Sequence, residues 1–488
     1  MKILKKHIQF YFLLILFVIV NSCSTENNKK LPITTSSKPA LENYLKGIEL
    51  NDKLQRLESR KYFEKAIEED PEFALAHLNL AFVQPTTKAF MASFNNAKKN
   101  IDKISDGEKY WILGYEAGAI SGNAKRQEKY YNKLVKEYPN DERVHLILGN
   151  FYFFNQEYKR AIKEYKIADK INPELSPIYN QMGYAYRYLG EYDESETAFQ
   201  HYISLVPDDP NPYDSYAELL MKVGKFNESI NNYKKALQVD SNFFASYSGI
   251  ASNLNLQNNH EQARLLLEDA LLNARDEDEQ RRMLTGIAIS FIDEGNYSDA
   301  IKTIKKQYEI SASSNDNISM ANDYLLLGQI YLEMNQPDKA FEFFEQTLGI
   351  IKESHIPQAN KNLFKINHLY FSARIHIAKG NIERARTRIS KFGNYAKTNN
   401  NQIQILLFHE LNGLVAMHEK EHHQAIKEFL KANQQNPYTF YRLAKAYSAL
   451  GENNTAMKYY QRAANFYGVN NINYAFIRNK ANRMIVSM

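Results

Sequence analysis

One short segment of this chain has the residue types and the spacing of a catalytic metal site. His418, Glu419 and His422 match the pattern H-E-x-x-H, in which two imidazoles one helical turn apart bind zinc and the glutamate acts as a general base. His423 follows directly and adds a third imidazole. A zinc metallopeptidase is therefore one alternative for the function of this protein.

The elements around this motif argue against that chemistry. The longer metalloprotease pattern has glycine and histidine where this chain has Ala425 and Glu428. A zinc motif also needs both histidines on one continuous helix, whereas the repeat register derived below places the segment at a turn between two helices. We therefore expect an exposed polar turn and no metal centre, with His418, His422 and His423 as candidates for incidental zinc binding only.

Other patterns that carry catalysis do not occur in the sequence. It has no glycine-rich phosphate loop, no G-x-S-x-G elbow and no kinase signature. We therefore predict a protein that is not an enzyme and that needs no cofactor.

A spacing of 34 residues runs through the first half of the chain. The recurring positions are Gly47, Ala81, Tyr115, Gly149, Gly183, Ala217 and Ala251. A fixed period near this length indicates stacked helix-turn-helix units, each of which buries its apolar face against its neighbours. The sequence therefore predicts an elongated array of helix pairs.

The clearest unit, residues 142–175, shows which residue types the pattern needs. Its first helix carries His145, Leu148, Gly149 and Tyr152, its second helix carries Ala161, Tyr165 and Ala168, and Pro173 closes it. The small residues let the two helix backbones approach closely, and the aromatic residues fill the space between layers. The pattern resembles the tetratricopeptide repeat (TPR) family, and this resemblance implies an all-α superhelical solenoid.

After Ala251 the small position recurs at wider intervals. It falls at Ala288, Gly328, Ala373, Gly413 and Ala444. We therefore expect longer helices or longer connections here, with residues 311–317 and 354–360 as candidate linkers. The whole pattern predicts about twelve TPR-like units. Residues 471–488 carry apolar side chains at spacings of three and four, so a final helix is expected to cap the last unit.

The N-terminal residues have the composition of an export signal. Three lysines precede an apolar run from Ile8 to Val20 that is too short to span a bilayer comfortably. The sequence V-N-S-C that ends at Cys23 resembles the lipobox of bacterial lipoproteins, in which the cysteine is lipidated after cleavage. Cys23 is the only cysteine, which excludes an intramolecular disulfide. The resemblance implies a lipid-anchored protein of the bacterial cell envelope, and we expect the outer membrane.

These signals divide the chain into five parts. The parts are a signal peptide (1–22), a flexible tether behind the lipidated cysteine (23–38), the regular array (39–275), the longer-spaced units (276–467) and the capping helix (468–488). Cleavage before Cys23 removes three lysines and lowers the formal charge from +5 to +2. A nearly neutral mature chain gives no electrostatic case for nucleic acid as a partner.

The TPR resemblance also implies a binding face. In this family the first helix of each unit lines a concave groove, on the side opposite the packing residues, and the groove binds a protein or an extended peptide. The residues on this side of the best-formed units are Asn150, Phe153, Asn180, Tyr184, Arg187, Asp214, Glu218, Ser248 and Ser252. We therefore predict a non-enzymatic scaffold for protein partners. The remaining alternative is an outer-membrane lipoprotein that binds nutrients or glycans, and a chain of repeats nearly throughout disfavours it.

Overall fold

The chain is built from helix pairs along its whole described length. The computed structural model describes residues 29–488, and within them 25 α-helices alternate as the first and second helices of twelve units, followed by one last helix. Units 1 to 6 comprise α1 Lys38–Asp52, α2 Arg56–Glu69, α3 Ala74–Phe82, α4 Thr87–Lys99, α5 Asp106–Tyr115, α6 Ala124–Glu137, α7 Glu142–Phe154, α8 Tyr158–Ile171, α9 Pro177–Leu189, α10 Tyr192–Leu205, α11 Pro210–Lys222 and α12 Phe226–Val239. Units 7 to 12 comprise α13 Phe244–Leu256, α14 His260–Leu272, α15 Glu277–Glu294, α16 Tyr297–Ser313, α17 Asn317–Glu333, α18 Pro337–Glu353, α19 Gln358–Ala378, α20 Ile382–Thr398, α21 Gln402–His418, α22 His422–Phe429, α23 Pro437–Ala449 and α24 Asn453–Ala464, and α25 Ile472–Ser487 follows them.

The two helices of a unit pack over the small position that the spacing identified. A β-carbon added to Gly149 would lie 2.4 Å from the Tyr165 ring of the second helix, and one added to Gly183 would lie 2.6 Å from the Phe199 ring. Each aromatic residue follows its glycine by sixteen positions, and the same pairing recurs in units 1, 9 and 11. Only a residue without a side chain fits this contact, because neighbouring core atoms are already close-packed. The predicted all-α array of helix pairs is confirmed.

Unit 3 departs from the predicted register by one residue. The spacing assigned its small position to Tyr115, but Gly114 makes the close contact, with a Cβ position 2.3 Å from the Tyr131 ring. Directly after Tyr115 the chain forms one turn of π-helix, Glu116–Ile120. A π-turn accommodates an extra residue within a helix, so the next unit returns to the common register.

The wider spacing in the second half comes from longer helices. Helices α15 to α21 have 17 to 21 residues, whereas α7 to α14 have 13 or 14. The first candidate linker is largely helical, because α16 continues to Ser313 and only residues 314–316 separate it from α17. In the second candidate linker, residues 354–357 connect two helices. The added residues therefore extend the packed surface of the units.

The superhelix closes on itself, so early units contact late ones. The backbone N–H of Thr87 donates to the Asp316 carboxylate at 2.8 Å, and Asn401 donates to the carbonyl of Gly122 at 3.3 Å. Helix α25 packs against α24 and α23 in its own part of the chain and also against α15. The predicted final helix is present, and it joins the end of the array to the middle.

An N-terminal strap, residues 29–37, lies bound along the first units. The backbone N–H of Leu31 donates to Asp141 and that of Thr34 donates to Glu108, each at 2.8 Å. Glu108 is fully buried, and a buried carboxylate requires such donors. The prediction of a flexible tether therefore does not hold for this part of the chain.

The predicted signal peptide and Cys23 lie outside the described residues. Across residues 29–488, no helix combines the length and the apolarity that crossing a bilayer requires.

Candidate protein-binding groove

The predicted groove contains a polar network that joins the inner helices α9 and α11, with a neighbouring hydrogen bond that joins α11 to α13. Arg187 donates to Glu218 at 2.9 Å, and the Tyr184 hydroxyl donates to the same carboxylate at 3.2 Å. Asp214 accepts a hydrogen bond of 2.7 Å from Ser246 in the next unit. Four of the nine predicted groove residues therefore take part in these contacts, which link units 5, 6 and 7.

Burial sets the protonation of this network. Burial raises the pKa of the Asp214 carboxyl, and the neighbouring Glu218 carboxylate raises it further. Burial likewise raises the pKa of the Tyr184 hydroxyl well above its ordinary value, and the nearby Glu218 charge adds to this effect. The hydroxyl of Tyr184 is therefore a stable donor at neutral pH. Arg187 lies against the rings of Tyr184 and Tyr188, at 4.8 Å and 5.1 Å from their centroids.

The other predicted groove residues are separated along the inner face. Asn150 accepts a hydrogen bond of 2.8 Å from the Tyr165 hydroxyl of its own unit. Asn180 and Ser248 are buried, and their side-chain oxygens have no hydrogen-bond partner among residues 29–488. Ser252 accepts a hydrogen bond of 3.2 Å from the backbone N–H of Asn470. The structure does not bring these four residues into the polar network.

Most of the predicted groove residues are packed inside the structure, although the sequence placed them on the side opposite the packing residues. Asn180 and Arg187 are each only 9% exposed, and Asp214, Ser248 and Ser252 are also buried. The physical reason is that the inner helices of successive units contact one another and C-terminal residues contact these helices, as Asn470 does at Ser252. Alanine at Arg187 would leave the Glu218 carboxylate with the Tyr184 hydroxyl but without its cationic partner, so this substitution tests folding as well as binding.

A cavity of about 480 Å³ remains between the inner helices and the C-terminal segment, residues 466–471. Phe153, Phe154 and Lys222 line it from the inner helices, and Phe466 and Tyr467 line it from the C-terminal segment. Phe153, which the sequence placed in the groove, contacts this cavity. The volume lies within the range of pockets that hold small ligands or a few peptide residues.

Lys222 is a residue of this cavity that the sequence reasoning missed. Its ammonium group donates to the carbonyl of Phe466 at 2.5 Å and lies 4.2 Å from the ring centroid of the same residue. Burial lowers the pKa of Lys222 to about 8, and the nearby guanidinium of Arg187 lowers it further. Lys222 lies 34 positions after Tyr188, which also lines the cavity, so the repeat spacing would have found it. The C-terminal segment has no comparable local signal.

The histidine motif adopts no zinc-binding geometry. His418 ends α21, His422 begins α22, and between them Lys420 has a left-handed backbone with φ of 63°. The chain therefore turns where a zinc motif needs one continuous helix. Among residues 29–488, no three histidine, cysteine or acidic side chains are grouped so that they could hold a metal ion.

Comparison with known proteins agrees with this architecture. Two models of the tetratricopeptide repeat match the chain, one at residues 279–353 and the other at residues 176–209, 211–243 and 437–467. The matched segments fall in both the regular and the longer-spaced parts of the array. The helix pairing and these matches identify a tetratricopeptide repeat protein.

The relatives are distant. The chain is 24% identical over 223 residues to stress-induced-phosphoprotein 1 of Caenorhabditis elegans, covering 43% of this chain and 65% of that protein. It is 25% identical over 171 residues to the human protein O-mannosyl-transferase TMTC3, covering 32% of this chain and 17% of that protein. A solved tetratricopeptide repeat protein of Parabacteroides merdae matches 53% of this chain and 98% of its own length, at 16% identity and a TM-score of 0.37. The chain spans less than two thirds of the length of either of the first two proteins.

Proposed function

We propose that this protein is a non-enzymatic scaffold that binds a segment of a partner protein at the mouth of the inner cavity. TPR arrays bind protein partners, and the cavity supplies both parts of such a site. Phe153 and Phe466 offer apolar surface, while Lys222 offers a cation at the wall. Phe154 at the cavity is 72% exposed, and an exposed large aromatic side chain beside a pocket is typical of a binding surface. This exposed aromatic at the cavity carries the proposal.

Phe154→Ala is expected to weaken partner binding without changing stability. Truncating an aromatic anchor at an interface costs about 2 kcal/mol or more of binding energy, whereas an exposed substitution changes folding by about 0.5 kcal/mol or less. A photo-crosslinking amino acid at position 154 identifies the partner in the native host, and the affinity of the purified pair is then measured.

Leu272→Ala provides the matched control, because Leu272 is 85% exposed and lies on the second helix of unit 7, away from the cavity. It should bind the partner as the unmodified protein does. If the unmodified protein, Phe154→Ala and Leu272→Ala all bind the partner with equal affinity, the partner contacts a surface other than the mouth of the cavity.

We further propose that the scaffold is a lipoprotein attached through Cys23 to the bacterial outer membrane. The support is the apolar run before Cys23, the lipobox-like sequence and the absence of any other cysteine. A lipid anchor on one side of the array would hold its partner at the envelope.

Cys23→Ser is expected to abolish stable membrane attachment. Acyl chains supply the membrane affinity of an anchored protein, so the variant should remain as unprocessed precursor or should move to the soluble fraction. Cell fractionation, detergent partitioning and the mass of the mature chain measure this result. A variant that is processed normally and stays in the membrane would contradict the proposed anchor.

A further inference from the structure

Two neighbouring outer helices form an exposed basic face. On α6 and α8 four pairs of basic residues occupy equivalent positions 34 residues apart, and all eight are exposed. The pairs are Lys125 with Lys159, Arg126 with Arg160, Lys129 with Lys163, and Lys136 with Lys170. The two helices together hold ten basic and four acidic residues, an excess of six positive charges, whereas the whole chain has a formal charge of +5.

This basic face is not a property of outer helices in general, although α20 also carries five basic residues and one acidic residue. On α10 the positions equivalent to Lys159 and Arg160 hold Asp193 and Glu194, and that helix carries three acidic residues and neither lysine nor arginine. Repeat packing does not require the charges, because the buried positions of α6 and α8 are tyrosine, leucine, isoleucine and alanine. The clustering of charge therefore needs another explanation.

The N-terminal strap begins at the edge of this same face. Lys29 pairs with Glu137, the last residue of α6, at 3.0 Å, and its ammonium group lies 4.6 Å from the centre of the Tyr138 ring. Leu31 is tied to Asp141 in the loop that follows α6. The chain that connects Cys23 to the array therefore joins it at the C-terminal end of α6.

The length of chain between Cys23 and this point is short. Six residue steps separate Cys23 from Lys29, and a fully extended chain spans at most about 3.6 Å per residue, or roughly 20 Å in total. A lipid on Cys23 would therefore hold the basic face close to the bilayer. Lysine and arginine side chains within a Debye length of an anionic surface are attracted to it.

We propose that the basic face of α6 and α8 docks on the anionic headgroups of the membrane that carries the Cys23 lipid. This inference rests on the proposed lipid anchor and adds an orientation to it. In this orientation the basic side of units 3 and 4 faces the bilayer.

The test uses the unlipidated chain from Ser24 onward, which contains every residue that the structure describes. Its sedimentation is measured with vesicles of phosphatidylcholine alone and with vesicles that also contain phosphatidylglycerol. We expect at least about tenfold stronger partition into the anionic vesicles, since each basic residue near such a surface adds to the attraction, and we expect high salt to remove the difference.

The decisive variant is the triple change Lys129→Glu, Lys136→Glu and Lys163→Glu. These three side chains form no ion pair with any residue that the structure describes, so the fold should persist. The variant should partition equally into both kinds of vesicle.

The matched control carries Lys225→Glu, Lys234→Glu and Lys235→Glu, which are exposed lysines in unit 6. It changes the net charge by the same amount and should retain binding to anionic vesicles within about twofold. The proposal is overturned by equal binding of the unmodified chain to both lipids, or by equal losses in the two triple variants. Binding to a DNA duplex without binding to anionic vesicles would also overturn it.

The protein that begins at Ser24 lacks Cys23, so the result of the vesicle experiment does not depend on the lipid anchor. If the Cys23→Ser protein still attaches normally to the membrane in cells, the proposed lipid anchor is refuted. If only the vesicle experiment fails, the docked orientation alone is refuted.

Discussion

Arg478→Ala is expected to lower the free energy needed to separate α25 from α15 by about 3–5 kcal/mol. Arg478 is only 5% exposed. It donates to Asp293 at 2.8 Å and to the carbonyl of Asn255 at 3.0 Å. Removing the guanidinium leaves the buried Asp293 carboxylate with the imidazole of His260 at 2.8 Å as its remaining partner, and an uncompensated buried charge is strongly destabilising.

Arg483→Ala is the matched control, because Arg483 lies on the same helix, is exposed and forms no ion pair within the described part of the chain. It should change stability by about 0.5 kcal/mol or less. Hydrogen exchange of α25 and α15 measures the local opening, and small-angle scattering measures whether the superhelix expands. Equal behaviour of the two variants would show that the apolar contacts of Phe476 and Ile477 are sufficient for closure.

Gly183→Leu is expected to destabilise unit 5 by about 3 kcal/mol, near the upper end of what overpacking a core typically costs. Even a β-carbon at this position would lie 2.6 Å from the Phe199 ring, which is fully buried. The two helices of the unit must therefore separate to admit a leucine. Because each unit contacts mainly its neighbours, hydrogen exchange and protease cleavage should rise around residues 177–207 more than in units 9 to 11.

Gly349→Leu tests whether the effect is due to the contact or to the loss of a glycine. Gly349 also lies within a helix, but an added β-carbon there meets no atom within 4 Å. This variant should be neutral or slightly stabilising, because leucine favours helix more than glycine does. Uniform loosening of the whole chain by Gly183→Leu would contradict a nearest-neighbour array.

The contacts within each unit were predictable from the sequence. Gly183 and Phe199 are sixteen positions apart and belong to one helix pair, so their contact follows from helix geometry and a short turn. The unit of Tyr115 shows the limit of this reasoning, since its small position is Gly114, one residue early, and the extra residue that restores the register is taken up afterwards in a π-turn. A fixed spacing cannot reveal where a helix absorbs an insertion.

The candidate site was only partly predictable. Repeat geometry places Tyr184 and Glu218 side by side, because residues 34 apart on successive first helices are neighbours in a solenoid. The burial of Arg187 and Asp214 was not predictable, and neither was the part played by the C-terminal segment in the cavity. Both depend on units that are distant in the sequence.

The sequence by itself determined the helix pairs and their number, since both depend on periods of a few residues or of one repeat. The tertiary structure alone decided that the array closes. Arg478 and Asp293 are separated by 185 positions, and their contact depends on small rotations between units that accumulate along the superhelix. Each rotation is set by the packing of whole helix surfaces, so no local pattern in the sequence specifies their sum.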